Sequence, residues 1–176
     1  MYKQDLEQTL LDIDEEAELE IGPRDDRPSV VLVGGSAFML NDVTNRAVTH
    51  DIDVFEADRR LREIIARYPE VNGMAVAYCN QMPFNYEDRL IPLEIGAHFI
   101  RYFTPSLEDL AVMKLYAYRP NDIIDLHSRT FIDRLDWDLL ERLIFDDGEA
   151  LASSPSERSY QEMVCAYRQY KKEVLG

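Results

Sequence analysis

The feature that most constrains this chain is an unbroken apolar run that ends on two glycines. Val30-Val31-Leu32-Val33 is followed at once by Gly34-Gly35-Ser36. A β-branched run with no polar alternation belongs to a strand covered on both faces. The glycines then allow a tight turn and a close approach of other groups to the backbone. A second strand is predicted at Asp51-Ile52-Asp53-Val54-Phe55, where two acids alternate with large apolar residues. Side chains two apart on a strand point the same way. Asp51 and Asp53 therefore share a face, while Ile52 and Val54 enter the core.

The other elements follow from periodicity. Residues 2–20 read as a helix with Leu6, Leu10, Ile13 and Ala17 on one stripe. Its other face carries Asp5, Glu7, Asp12, Asp14, Glu15, Glu16, Glu18 and Glu20. That face is either simply solvated or a docking arm for a basic partner. Residues 22–28 are turn chemistry and set this helix apart from the core. A basic helix is predicted over Ala57–Tyr68, with Leu61, Ile64, Ile65 and Tyr68 on its apolar side. Residues 71–79 fit helix and strand equally. Leu90–Ile95 and His98–Phe103 read as a hairpin across Gly96-Ala97. Ser106 caps a helix that runs to about Tyr118 and stops before Pro120. Helices at 121–127 and 136–152 follow, the latter with a break at Gly148. Ser154-Pro155-Ser156-Glu157 opens the last one.

The fold class is thus α/β (α+β): a small mixed sheet with a helical C-terminal part. The expectation is one domain over 1–176. Residues 1–28 form the acidic helix and linker, 29–104 the sheet core, and 105–176 the helical part.

The formal net charge is -15, from 34 acidic and 19 basic residues. A protein that binds duplexes by displacing counterions shows a basic face. This balance instead favours basic proteins and divalent cations. No apolar run nears the roughly 20 residues of a membrane helix, and the first residues lack a signal peptide's basic-then-apolar pattern. Two cysteines, Cys79 and Cys165, make no disulfide framework. A reducing, cytoplasmic setting without membrane partners is expected.

Three groups of residues could carry chemistry. Asp51 and Asp53 are either two ordinary acids at a strand edge or a carboxylate pair for Mg²⁺, which binds through one or two carboxylates with waters and substrate phosphates. Gly34, Gly35 and Ser36 form either a plain turn or a seat for phosphate oxygens at a helix start, with Ser36 as cap and donor. No Gly-Lys-Ser/Thr follows, so this is not a P-loop. Lys114 is the only charged residue between Leu110 and Tyr118, on a stripe facing the core. It either snorkels to water or aims an ammonium at triphosphate oxygens. Asp122 and Asp125, three apart, share a helix face and also suit a helix start. His50 precedes the acid pair and at most positions it, His98 and His127 lack metal-ligand companions at useful spacing, and Cys165, among Met163, Val164 and Tyr167, reads as core.

Taken together, strand, Gly34-Gly35-Ser36 and Asp51-Ile52-Asp53 resemble the nucleotidyltransferase fold of the DNA polymerase beta superfamily. The wording Gly34-Gly35-Ser36-Ala37, Arg46 and Thr49-His50-Asp51-Ile52-Asp53 is closer to small bacterial nucleotidyltransferases of the AbiEii type, the toxins of type IV toxin–antitoxin pairs and their relatives. Leu110–Leu126 is similar to the lysine helix of those proteins and its Arg-x-x-Asp-x-x-Asp-Leu ending. The resemblance implies a Mg²⁺-dependent transferase that moves a nucleoside monophosphate from a nucleoside triphosphate to a hydroxyl acceptor, a tRNA 3′ end or a protein. It implies a cognate antitoxin as partner. It makes Asp51 and Asp53 metal ligands, Lys114 a phosphate-binding and catalytic residue, and Asp125 a site acid. The superfamily's third carboxylate has Glu94 as its candidate. The competing class is a nucleotidyltransferase-like module that binds a nucleotide or a basic protein without turnover.

Overall fold

A computed structural model describes residues 1–22, 25–73 and 81–176. They divide into two compact units, one from the described parts of 1–42, 46–77 and 90–104, the other from 43–45, the described part of 78–89, and 105–176.

The first unit holds the sheet. Helix α1 (Lys3–Ile21) leads to β1 (Ser29–Val33), α2 (Gly34–Leu40), β2 (Ile52–Ala57), α3 (Arg62–Ile65), β3 (Val71–Asn72), β4 (Ile91–Pro92) and β5 (Arg101–Thr104). The strand order is β3-β2-β1-β5-β4. β1 runs antiparallel to β2 and parallel to β5, so it is central, as its apolar run predicts. Its residues from Val30 to Val33 are all buried. β4 and β5 do pair antiparallel, but over two residues each, with Ile91 opposite Thr104. Residues 74–79 lie outside the described residues.

The register between β1 and β2 shifts once, between Val31 and Leu32. Glu56 pairs with Val31 and Val54 with Leu32, leaving Phe55 as the extra residue of a bulge. This is why Val54 and Phe55 are both buried, against simple alternation.

Two expectations need correction. Helix α1 is not set apart from the core. Leu6, Leu10, Ile13 and Ala17 pack in one cluster with Val30, Leu32, Ile52, Val54 and Tyr102. The helix is further tied down by Asp14, one of the residues assigned to the acidic outer face. Its buried carboxylate accepts the N–H groups of His98 (2.8 Å), Phe99 (3.0 Å) and Ile100. The second correction concerns Ala57–Tyr68. Ala57 ends β2, and Asp58 then takes the Arg60 amide on its carboxylate (3.0 Å), which starts a 3₁₀ turn at Arg59–Leu61. Only α3 is α-helical there.

The second unit is helical: α4 (Leu107–Ala117), α5 (Pro120–Leu126), α6 (Arg129–Ile132), α7 (Trp137–Glu141), α8 (Glu149–Ala152) and α9 (Glu157–Leu175). Ser106 caps α4 by accepting the Asp109 amide at 3.1 Å, and Tyr118 closes it in the left-handed conformation. A π-helical turn follows α7, and Gly148, at φ 67°, breaks the chain before α8. The cap of α9 is Ser156 rather than Ser154, and Cys165 is exposed rather than in the core, because Met163, Val164 and Tyr167 take the buried face. Tyr170, fully buried on α9, stacks on Trp137 and donates to the Leu126 carbonyl (2.8 Å). Sheet and helical C-terminal part are as the sequence predicts. Among the described residues no helix is long and apolar enough to cross a membrane.

Asp14 supplies a direct test of how the helix is held. Asp14→Ala orphans three backbone donors, each worth about 1–3 kcal/mol when left unsatisfied. We expect a loss of about 3–5 kcal/mol in urea unfolding, with near-wild-type stability for substitution of the exposed neighbour Glu15.

Candidate functional site

The Gly-Gly-Ser turn and the second acid form one packed unit. Helix α2 begins at Gly34 itself, with Val33 as its cap residue, so Ser36 lies inside the helix and does not cap it. Gly34 has φ 65°, and a Cβ placed on it would lie 2.1 Å from Asp53 Oδ2. No other amino acid fits there without moving the carboxylate. At Gly35 a Cβ would meet Arg46 Nη2 at 2.3 Å and Thr49 Oγ1 at 3.1 Å. Ser36 is fully buried. Its hydroxyl donates to the Val33 carbonyl (2.8 Å) and accepts the Asp53 amide (3.3 Å). It therefore ties the end of β1 to β2.

Register completes the arrangement. Val33, the last residue before the turn, pairs with Asp53. On the other side Asp53 pairs with Asn72 of β3, whose amide donates to Asp53 Oδ1 at 3.0 Å. Asp51 precedes β2 by one residue. Both acids are half-buried, while Ile52 and Val54 are buried as alternation predicts. The loop before Asp51 is pinned by reciprocal backbone bonds between Met1 and Thr49, 2.7 and 3.0 Å long. Thr49 Oγ1 also donates to the Asp51 carbonyl (3.2 Å).

Among the described residues no group of three or more acidic, histidine or cysteine side chains is arranged to hold a metal ion. Two hard carboxylates suit an ion that takes its remaining ligands from water and substrate, as Mg²⁺ does; they do not suit a caged Zn²⁺. The donor set fits Mg²⁺ on those terms. Glu94 does not join it. β4 starts level with Thr104, at the end of the sheet where Gly34 lies, and runs away from it, so that Leu93 already bonds to Tyr102. Glu94, one residue further and exposed, belongs to the opposite end.

Lys114, Asp122 and Asp125 meet in the second unit. Lys114 is buried, so it does not snorkel to water. Its ammonium lies 2.9 Å from Asp122 Oδ1 and 2.8 Å from Asp125 Oδ2. Asp125, fully buried, also accepts from Thr44 Oγ1 at 2.6 Å. Asp122 is the third residue of α5, and it takes the Arg119 amide (3.1 Å) and Nε (2.8 Å). Burial opposes ionisation of Asp122. The Lys114 ammonium and the Arg119 contacts outweigh it and hold the carboxyl below its ordinary value of 3.8.

Asn72, Thr44 and the packing role of Arg46 were not read from the sequence. Asn72 lies in a segment whose periodicity favours neither helix nor strand. Thr44 contacts an acid 81 positions away. Arg46 drew attention only as part of a resemblance, and its place against Gly35 depends on a loop with no pattern of its own.

A central strand, a glycine turn closed over an acid and a sheet of mixed direction are the frame of the site, and the family match makes it a nucleotidyltransferase-like domain. The chain belongs to the family described as "Nucleotidyltransferase of unknown function (DUF6036)", whose model matches residues 8–175. No curated protein and no solved structure matches it significantly.

Two substitutions separate turn geometry from stability. Gly34→Ala incurs left-handed strain of about 1–2 kcal/mol and displaces Asp53. Gly35→Ala has no positive φ to strain; it displaces the Arg46 guanidinium and crowds buried Thr49, and should lower stability by about 1 kcal/mol, less than Gly34→Ala. Chemical unfolding of both variants checks the contrast. The Lys114 cluster predicts a pH dependence. The folded-state value of Asp122 lies below its unfolded one, so its contribution is complete above the ordinary carboxylate range and is lost as pH falls through the folded value. Stability measured from pH 6 downward should therefore fall less steeply in Asp122→Asn than in wild type. Lys114→Met, which strands two buried carboxylates, should cost about 3–5 kcal/mol at neutral pH.

Proposed function

We propose that the protein transfers a nucleoside monophosphate from a nucleoside triphosphate to a hydroxyl acceptor. The observation that carries this reading is the contact of Asp53 with Gly34. It joins a turn suited to phosphate and an acid suited to Mg²⁺ at one point of the sheet. Asp51 and Asp53 would hold Mg²⁺, which supplies charge neutralisation for the triphosphate and for the leaving pyrophosphate. Gly34 and Gly35 let phosphate oxygens approach the backbone. Ser36, its proton already engaged, fixes the turn to β2 and so serves phosphate binding indirectly. Arg46 brings a guanidinium to Gly35 and suits a phosphate oxygen bidentately.

In the reaction an acceptor oxygen forms a bond to the α-phosphorus, the bond to the bridging oxygen of the β-phosphate breaks, and pyrophosphate leaves. The acceptor proton passes to a carboxylate, for which Asp53 is the candidate in the first unit. For Lys114 and Asp125 the resemblance implies a share in the same chemistry, and its support is a buried ammonium beside two carboxylates. The acceptor is a protein hydroxyl or a tRNA 3′ end. The net charge of -15 favours the protein, because it repels RNA. A toxin role within a type IV pair, with a cognate antitoxin, follows from the resemblance alone, and a cytoplasmic location from the cysteine usage.

The test is label transfer. The protein is incubated with Mg²⁺ and each α-labelled nucleoside triphosphate, with total tRNA or cell protein as acceptor. We expect labelled acceptor with wild type, and a loss of at least about 100-fold with Asp53→Ala, the scale of a lost electrostatic contribution. Absence of label on every acceptor, together with triphosphate binding unchanged by Asp53→Ala, would favour the non-catalytic module and sink the assignment.

A further inference from the structure

We infer that Asn72 is a positioning residue for Asp53, holding one carboxylate oxygen so that the other faces the Gly34 turn. The inference rests on the reading of Asp53 as a cation ligand. β3 is a two-residue edge strand, Val71–Asn72, that pairs in parallel with β2. Its register is fixed by Ile52 N–H donating to the Glu70 carbonyl (2.9 Å) and sets Asn72 opposite Asp53. Residues directly opposite in a sheet share a face, which brings the two side chains within reach of each other. The Asn72 amide then donates to Asp53 Oδ1 at 3.0 Å. Oδ2 is the atom that abuts Gly34. The Asn72 amide thus holds one oxygen of the carboxylate while the other lies beside the glycine.

The chemical type of the constraint matters. Lysine or arginine at this position would neutralise Asp53 and compete with a cation. An aspartate would repel it. An amide supplies a directional donor and brings no charge of its own to compete with the ion. Outer partners of metal-binding carboxylates act in this way, and their loss typically lowers affinity or activity 10–100-fold. Val71 and Asn72 are half-buried, so substitution at this edge does not open the core.

The test is Mn²⁺ binding to the full chain, read by the electron paramagnetic resonance of free Mn²⁺ without nucleotide. The variants are Asn72→Ala, Asn72→Val, and Asp53→Ala as reference. Asn72→Val keeps a strand-favouring side chain of similar bulk and removes the amide. We expect Mn²⁺ affinity to fall about 10-fold or more in both Asn72 variants, with thermal midpoints close to wild type, and to vanish in Asp53→Ala. Wild-type affinity in both Asn72 variants, with loss only in Asp53→Ala, overturns the positioning role and leaves Asp53 as a ligand. Mn²⁺ binding indifferent to Asp53→Ala overturns the metal reading, and the role of Asn72 with it.

Discussion

The structure of the first unit turns on one contact, the Asp53 carboxylate lying against the α-carbon of Gly34. It requires a residue without a side chain at the end of β1, a positive φ there, and a register that sets Val33 opposite Asp53. Each requirement recruits another element. The Ser36 hydroxyl bridges the two strands at that level. The bulge at Phe55 lets β2 bury two consecutive side chains and still deliver Asp53 to the turn. Sheet packing and candidate chemistry are thus set by the same few atoms.

The second unit rests on a different balance. Lys114 and Asp122 are inside the protein, where an isolated charge would be prohibitive. They are tolerated because each has a counter-charge and hydrogen bonds. Such a cluster stabilises little relative to an apolar core of the same volume, yet losing one member is costly. The arrangement fixes α4 and α5 to each other through charge as well as through packing.

Much of this was legible in the residues. Val30–Val33 has one structural reading, and it is the central strand. Asp51-Ile52-Asp53 alternates as written, with its apolar members buried. Ser106 caps the helix it precedes. What failed did so for physical reasons. Asp14 lies four residues after Leu10 and three before Ala17, so its spacing puts it at the apolar stripe rather than on the outer face, but local pattern cannot show the three amides about 85 residues away that receive it. Ala57–Tyr68 has helical periodicity, but β2 claims its first residue and Asp58 redirects the chain through a local side-chain bond. Glu94 has the pattern of a strand acid, and only strand direction shows that it leaves the candidate site behind. Asn72 depends on a register that two residues of strand cannot announce.

The parallel pairing of β1 with β5 also governs the order in which the chain can fold. Ser29 must wait for Arg101, and Asp14 for Phe99, before their bonds can form. Contacts of such sequence separation slow folding, because the loop must close before anything rewards it. During synthesis β1 would have β2 on one side and an open edge on the other, with Val30–Val33 unprotected until β5 emerges. An open apolar edge is a template for unwanted pairing. The wait is therefore a kinetic hazard, one that the acidic outer face of α1, which precedes β1 in the chain, would lessen by keeping emerging chains apart through like-charge repulsion.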